Sequence, residues 1–199
     1  MSSSLHGASA EYALHSLLVL AARSEPVSAR DLARFQELPE RFLAKLLTRL
    51  EKAGLVGAIE GVRGGYRLAR PPAQITVQDV LEAVEPGRAL FECAEIRRHC
   101  ALFGGEAPGW SVQGMCRIHL FMKEAEDALR AFLASKTVAD LGREFGRKAP
   151  EQFVREAEGW FQERRLGRTA PRRGKRRAAG RPATAAAANP RGQPRESRS

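Results

Sequence analysis

The feature that most constrains the fold is a pair of amphipathic helices followed at once by a short hairpin. Ser28 lies three residues before Asp31, which is the spacing of a helix N-cap, so VSARDLARF predicts a short helix. After a tight link, Pro39 suits the first turn of a longer helix that ends at Gly54. A short helix, a tight link and a longer helix form the helix-turn-helix pattern. The predicted buried stripe of the longer helix comprises Phe42, Leu43, Leu46, Leu47 and Leu50.

The next segment predicts a two-stranded wing. Apolar and β-branched residues in LVGAIE and YRLAR flank the glycine-rich GVRGG, as in a β-hairpin. Thr76, three residues before Asp79, then caps a helix at VQDVLEAVE. An earlier helix is predicted over residues 9–23, with Ser9 as its cap. The first eighty residues therefore predict a small winged helix-turn-helix domain.

The second half of the chain predicts a loop and then more helices. Residues 86–114 lack clear periodicity, whereas a long apolar helix begins at Met115. We expect this helix to bury part of its face on another subunit. Two shorter helices are predicted at TVADLGREF and PEQFVREAEGWFQERR. The apolar face of the long helix comprises Ile118, Phe121, Met122, Ala125, Leu129, Phe132 and Leu133.

These elements predict a mainly α protein with four parts. A winged helix-turn-helix domain with a two-stranded wing spans residues 1–85, and a sensor loop spans residues 86–114. A long dimerisation helix and short C-terminal helices occupy residues 115–163, and a disordered basic tail occupies residues 164–199. With 199 residues and 43% hydrophobic composition, the chain is long enough to form a real core.

The net charge of +10 resides in the C-terminal tail. From Arg164 onward the chain has twelve cations and one anion, so the part before it is close to neutral. The tail is typical of a basic arm that binds nucleic acid through phosphates, and a solubilising extension is the alternative. DNA binding by the folded part must therefore rest on a local arrangement of charges.

Composition also bears on compartment and on enzyme classes. No apolar run is long enough to span a bilayer, and no secretory signal is recognisable, so we expect a cytoplasmic protein without a membrane partner. Three cysteines argue against a disulfide framework. The sequence has no CxxC, GxSxG or HExxH motif, and its RGGY lies in a hairpin rather than before a helix. We therefore expect a protein that is not an enzyme.

A stripe of polar residues on the longer helix predicts a DNA-reading face. These side chains lie opposite the buried stripe, which suits a recognition helix in the major groove, although a solvated surface face is the alternative. On the wing, a cation at the glycine-rich tip would reach a minor groove or a phosphate. The predicted DNA-binding residues are Arg41, Lys45, Thr48, Lys52, Arg63, Gly64, Gly65 and Arg67.

The block EKAGLVGAIEGVRGGYRLARPPAQITVQDVLEAVE resembles the wing and following helix of the Rrf2 (Rrf-two) family of winged helix-turn-helix transcription regulators. The resemblance extends from about residue 9 to residue 145. It implies a homodimer, crossed through the long helix, that binds roughly palindromic double-stranded operator DNA. Glu60 and Ala44 depart from the arginine and glutamate usual in the family at these positions, so an operator sequence is not transferred from relatives.

Glu11 and His15 would lie on one helix face, four residues apart. Taken alone, they are typical of surface residues near a helix start. The cysteines, Cys93, Cys100 and Cys116, are spaced too widely for the three-cysteine clusters of the family.

FECAEIR, EYALH and the block from MCRIHLF to TVADL instead resemble the RsrR-like, redox-responsive branch. That resemblance implies a [2Fe-2S] cluster bridged between subunits, one per dimer half. Its ligands would be Cys93 and Cys116 of one chain with Glu11 and His15 of the other. Cys100 is a further candidate ligand, and His119 is a competing one.

The function predicted from these features is a DNA-binding transcriptional regulator controlled by the redox state of the cluster. A histidine ligand would raise the cluster potential and couple electron transfer to a proton. The alternative is a cluster-free member of the family that senses cysteine oxidation or a small ligand. In that case Cys100, beside Arg97 and Arg98, is a candidate oxidation target. A cysteine or metal enzyme is the third alternative.

Overall fold

The computed structural model describes residues 6–169, which form eight α-helices and one two-stranded antiparallel sheet. The mainly α fold with a small wing is therefore confirmed. None of the helices within these residues is long and apolar enough to cross a membrane. The elements are α1 (Ala8–Ala21), α2 (Ala29–Phe35), α3 (Glu40–Lys52), β1 (Val56–Ile59), β2 (Gly65–Leu68), α4 (Val77–Val84), α5 (Gly109–Val112), α6 (Arg117–Ala134), α7 (Val138–Lys148) and α8 (Glu151–Thr169).

Two predicted helix caps are confirmed, and one is wrong. The Ser28 hydroxyl accepts a hydrogen bond from the Asp31 N–H at 3.1 Å, and Thr76 forms a reciprocal capping box at the start of α4. Ser9, however, lies inside α1, whose N-cap is Gly7. The Gly7 N–H donates to the Glu85 carboxylate at 2.8 Å, so a tertiary contact replaces the local side-chain cap.

The core lies between α1, α3, α4 and the wing. Leu43, Leu46, Leu47 and Leu50 of α3 are buried, as their spacing predicts. Phe42 is only half-buried and packs edge to face on Tyr12 at 5.7 Å. The other fully or nearly fully buried apolar residues of this core include Ala13, Leu17, Leu32, Leu55, Val56, Ile75, Val80 and Val84.

The wing is joined to the start of α2. β1 pairs with β2 from Val56 opposite Leu68 to Ile59 opposite Gly65. Val27 and Tyr66 exchange backbone hydrogen bonds of 2.9 and 2.8 Å, which extend the pairing beyond the hairpin. The wing is thus held in a defined position relative to the helix-turn-helix unit.

Residues 86–114 contain only short turns, in line with the predicted loop. They include two 3₁₀ turns, Ile96–Arg98 and Ala101–Phe103, and the four-residue α5. The long helix α6 follows, with Cys116 as its N-cap. No residue of α6 is fully buried, and Ile118, Phe121 and Phe132 are each at least 60% exposed.

The last two helices return to the winged domain. Val77 donates to the Lys136 carbonyl at 2.8 Å and Val138 donates to the Ile75 carbonyl at 2.9 Å, so the start of α7 is tied to the start of α4. The helix α8 continues to Thr169, whereas the predicted disordered tail begins at residue 164. That boundary is wrong because α8 packs on Phe35 of α2 through Trp160 and on Arg23, which follows α1, through Phe161. The rest of the predicted tail, 170–199, lies outside the described residues.

Candidate nucleic-acid interface and sensor residues

The polar face of α3 is exposed as predicted. Arg41, Lys45, Thr48 and Lys52 are all exposed, opposite the buried leucines. Among residues 6–169, the three cations of this face have no anionic partner. The Thr48 hydroxyl donates to the Ala44 carbonyl at 2.9 Å, which leaves its methyl group and lone pairs for a partner. This face can donate hydrogen bonds to base edges and phosphates.

Nearby cations have structural roles instead. Arg49 donates to the Val84 carbonyl at 2.9 Å and closes the end of α4. Arg70 donates to the Gly54 carbonyl at 3.2 Å and closes the end of α3. Arg30 lies 3.5 Å from Glu40 and joins the first turns of α2 and α3. These contacts maintain the geometry of the reading face.

The wing presents two further cations, Arg63 at its tip and Arg67 on β2. Both are exposed, and neither has an ion-pair partner within the described part of the chain. The adjacent glycines are required by the backbone. A Cβ on Gly64 would lie 2.1 Å from the Ile59 carbonyl oxygen, and one on Gly65 would lie 2.5 Å from the Val27 carbonyl. The glycines thus shape and seat the wing, so Arg63 and Arg67 are the better candidates for contact with DNA.

Glu11 and His15 lie on one face of α1, as the spacing predicts, and both are exposed. They border an apolar groove of about 660 Å³ between α1, α7 and α8. Phe145 and Phe153 form part of its opposite wall. The pair is thus open to a partner and lies at the edge of an apolar surface.

The cysteines lie in and next to the loop. Cys93 and Cys100 are exposed, and Cys116 is half-buried. A hydrogen bond of 2.5 Å to Glu95 raises the pKa of the Arg97 guanidinium above its ordinary value, and the nearby Cys116 and Cys93 add to this shift. The structure therefore places both cysteines of the predicted ligand set near one cation. Nothing in the sequence pattern identifies this role of Arg97.

Within residues 6–169, no three His, Cys, Asp or Glu side chains converge closely enough to hold a metal. Within these residues, Glu11 and His15 lie one helical turn apart and Cys93 and Cys116 both lie near Arg97, but no three of the four side chains come together. The ring of His119 packs 6.3 Å from that of Phe91. Its Nδ1 is buried and has no hydrogen-bond partner among the described residues.

Comparison with known proteins assigns the family. The Rrf2 family model, described as an iron-dependent transcriptional regulator, matches residues 7–144. The chain belongs to the Rrf2 family. It is therefore a DNA-binding transcriptional regulator, in agreement with the resemblance of the wing block. The match ends before α8 begins.

Individual relatives agree with this assignment. The chain is 34% identical over 133 residues to the regulator NsrR of Geobacillus kaustophilus, which is 66% of this chain and 84% of the relative. It is 30% identical over 158 residues to IscR of Escherichia coli O9:H4, which is 73% of this chain and 91% of the relative.

Two solved structures are also similar. T. potens IscR has a TM-score of 0.54 at 25% identity, covering 75% of this chain and 93% of that one. CymR of B. subtilis, described as a global cysteine regulator, has a TM-score of 0.54 at 25% identity, covering 72% of this chain and 98% of that one. These likenesses extend over most of the described residues.

Proposed function

We propose that this Rrf2-family regulator is a homodimer whose operator binding is controlled by a [2Fe-2S] cluster held between subunits. The observation that carries the proposal is the division of the candidate ligands. Glu11 and His15 form one exposed pair on α1, and Cys93 and Cys116 lie near one cation at the start of α6. Each chain would supply half of the four ligands that such a cluster needs.

The surface of α6 supports a homodimer. Ile118, Phe121 and Phe132 are exposed on this helix, and Met115 just before it is 58% exposed. An apolar surface of this extent is typical of a protein interface. In the proposed homodimer, a second copy packs on α6, and the cysteines of one chain face α1 of the other.

The donor types fit the cluster. Thiolates are the usual iron ligands in [2Fe-2S] centres, and imidazole replaces thiolate in the Rieske type. Arg97 places a positive charge near both sulfurs, which offsets the negative charge of thiolate ligands. When bound, the cluster would supply one-electron redox chemistry. In this arrangement Glu11 and His15 bind and orient it from α1.

The helix α1 also links this site to the DNA-reading face. It packs against α3, α4 and the wing strand β2. A shift of His15 would therefore move α1 against the recognition helix and the wing. A hundredfold change in DNA affinity corresponds to about 3 kcal/mol, which is within ordinary allosteric coupling.

The DNA-binding part of the proposal rests on the exposed stripe of α3 and on the wing. Arg41, Lys45, Thr48 and Lys52 would enter the major groove of operator DNA, while Arg63 and Arg67 would contact its backbone or minor groove. The two-fold axis of a homodimer would match a roughly palindromic operator.

An anaerobic absorption spectrum with iron and sulfide analysis tests the cluster. Wild-type protein should show visible bands with about two irons per cluster, and His15→Ala and Cys116→Ala should lose or alter them. Cys100→Ala and His119→Ala serve as matched controls that keep the bands. A colourless, iron-free wild-type protein contradicts the proposal, and loss in His119→Ala but not in His15→Ala would reassign the ligand.

A second candidate is a cluster-free regulator that senses oxidation. It is favoured by the exposure of Cys93 and Cys100 on a loop. In that case, colourless protein would lose or gain operator affinity on treatment with hydrogen peroxide, and Cys100→Ala or Cys93→Ala would abolish the response. A coloured protein whose affinity follows the cluster redox state would rule this candidate out.

A further inference from the structure

The helix α8 lies beyond the matched family region and forms a cleft with α2. The cleft has a volume of about 420 Å³. Its charged lining residues are four arginines and two carboxylates, so its net charge is +2. A cleft of this charge favours an anionic ligand. The arginines are Arg30 and Arg34 of α2 with Arg164 and Arg168 of α8, and the carboxylates are Asp31 and Glu163.

Packing between the two helices fixes the arginines of α8. The Trp160 ring lies 5.3 Å from the ring of Phe35 on α2, and the Cζ atom of Arg164 lies 3.6 Å from the centre of the Trp160 ring. Arg168 pairs with Asp31, which is only 6% exposed. Because a buried carboxylate without a partner is costly, this ion pair holds α8 next to α2. Both guanidinium groups are therefore positioned at the cleft before any ligand binds.

Several donors of the cleft have no acceptor. The Nε atoms of Arg164 and Arg168 are buried and have no hydrogen-bond partner among residues 6–169. Arg34 is exposed, and neither Arg34 nor Arg164 has an ion-pair partner within the described part of the chain. A guanidinium presents its N–H donors in a planar fork that matches the oxygens of a phosphate. Free donors and a positive net charge thus point to a phosphate group as the ligand.

The cleft lies beside the DNA-reading elements. Arg30 lies 3.5 Å from Glu40 in the first turn of α3, and Arg41 of the reading face follows Glu40. Val27, just before the cap of α2, is bridged to Tyr66 of the wing. In helix-turn-helix proteins the first helix crosses the DNA backbone while the second enters the major groove. The cleft is therefore on the helix that meets the backbone when α3 occupies the major groove.

We propose that the cleft between α2 and α8 binds a phosphate group of the operator backbone. Arg34 and Arg164 donate to its oxygens, whereas the ion-paired Arg30 and Arg168 hold the two walls in place. The contact adds affinity without reading sequence. The inference rests on the DNA-binding function of the family and does not involve the proposed cluster. It gives α8, which the matched family region does not include, a direct role in binding DNA.

Ethylation interference on a duplex selected from a random library tests the contact. An ethyl group removes the charge of a phosphate and weakens binding where the protein contacts that phosphate. The double variant Arg34→Gln and Arg164→Gln should become insensitive to ethylation at a phosphate in each half-site that matters for wild-type protein, and it should keep the other sensitive positions. A variant that keeps the complete wild-type pattern overturns the proposal.

The matched control is the double variant Arg147→Gln and Arg155→Gln. It loses the same charge, and its arginines are exposed, lie outside the cleft and pair within single helices. This variant should keep the wild-type pattern. Identical changes in the two double variants would show a general effect of charge and refute a contact in the cleft.

The salt dependence of binding gives the magnitude. Each neutralised phosphate contributes about 0.9 to the slope of log affinity against log salt, so loss of one contact in each of two bound copies lowers the slope by about 1.8. The variant of Arg34 and Arg164 should show this decrease, and the control should not. Affinity for the selected duplex and for an unrelated duplex should fall by the same factor. Equal slopes for the two variants would refute the contact.

Gly167→Leu tests the cleft without removing a charge. Gly167 lines the cleft, and a Cβ there would meet no atom within 4 Å, so leucine adds an apolar side chain at its wall. This variant should lose sensitivity at the same phosphate as the double variant. Gly146→Leu on α7 is the control, because its Cβ also meets no atom within 4 Å but lies outside the cleft. The same result for both leucine variants would contradict the proposal.

Folding and the wider function are checked separately. Urea unfolding shows whether each variant folds, and Gly167→Leu decides the matter if the double variant does not. Variants are compared at equal iron content, so absence of a cluster leaves the comparison unaffected. A full chain that binds neither duplex would reject DNA binding itself, whereas an unchanged interference pattern in the variants would reject only the contact in the cleft.

A free anion is the other possible occupant of the cleft. In a Trp110→Phe background, Trp160 is the remaining tryptophan, and its fluorescence reports on the stacked Arg164. Inorganic phosphate, added at constant ionic strength, should leave this fluorescence unchanged, and the selected duplex should alter it. A response to inorganic phosphate together with an unchanged interference pattern would assign the cleft to a free anion and reject the contact with DNA.

Discussion

Substitution of Gly65 by alanine should displace the wing from the helix-turn-helix unit. A Cβ at this position would lie 2.5 Å from the carbonyl carbon and oxygen of Val27 and 2.8 Å from the Ser28 nitrogen. All three are backbone atoms, which do not yield as a flexible side chain would. Gly65 also has a φ of +154°, which side chains rarely adopt.

The loss of stability in Gly65→Ala can be estimated from the contacts that must break. Moving β2 away from Val27 would break the two hydrogen bonds between Val27 and Tyr66, of 2.9 and 2.8 Å. Each contributes a net of about 1 kcal/mol, and the backbone strain adds about 1–3 kcal/mol. We therefore expect Gly65→Ala to lower the free energy of unfolding by about 4 kcal/mol.

Gly57→Ala is the matched control, because it lies on the paired strand and its Cβ would meet no atom within 4 Å. Urea unfolding of both variants measures the difference. Gly65→Ala should unfold at a clearly lower urea concentration, and it should bind operator DNA more weakly because Arg63 is misplaced. Equal midpoints for the two variants would refute the steric reasoning and return Gly65 to the set of direct DNA contacts.

Two further predictions concern single side chains. Arg63→Ala should lower the salt slope of DNA binding by about 0.9 per phosphate contact without changing stability, and Arg147→Ala should leave the slope unchanged; equal slopes would exclude a phosphate contact by Arg63. Hydrogen bonds from Thr137 lower the pKa of Asp140 in the folded protein. The Asp140 carboxylate therefore stabilises the fold above its unfolded-state pKa of about 4, and this stabilisation is lost as the pH falls through its folded-state pKa. Asp140→Asn should therefore make the free energy of unfolding less dependent on pH under acidic conditions, as measured by urea unfolding at several pH values. An unchanged pH dependence would contradict this.

Local signals predicted the elements of the winged domain. Ser28 and Thr76 cap helices as their spacing indicates, because such bonds join residues three apart. The prediction that Ser9 caps α1 was wrong because the Glu85 carboxylate, far away in sequence, takes the place of a local cap. Helix starts are thus predictable where the partner of the cap is local, and not where it comes from another element.

The residues of the candidate DNA-reading face were likewise predictable only in part. Helical periodicity separated the exposed stripe of Arg41 and Lys45 from the buried leucines. It did not separate cations available for DNA from those used in the fold, such as Arg49, which closes α4. Spacing shows which face a residue occupies, whereas its hydrogen-bond partner depends on which element packs there.

The sequence by itself determined the winged helix-turn-helix order, the stripe on α3 and the pairing of Glu11 with His15 on one helix face, because these depend on contacts between near neighbours. The tertiary structure decided that Gly65 seats the wing on Val27 and that Cys93 and Cys116 lie near Arg97. It also decided that residues 164–169 belong to α8, with Arg168 paired to Asp31, whereas the sequence predicted that a basic tail begins at Arg164. These features join residues distant along the chain, and only the packing of whole elements brings such residues together.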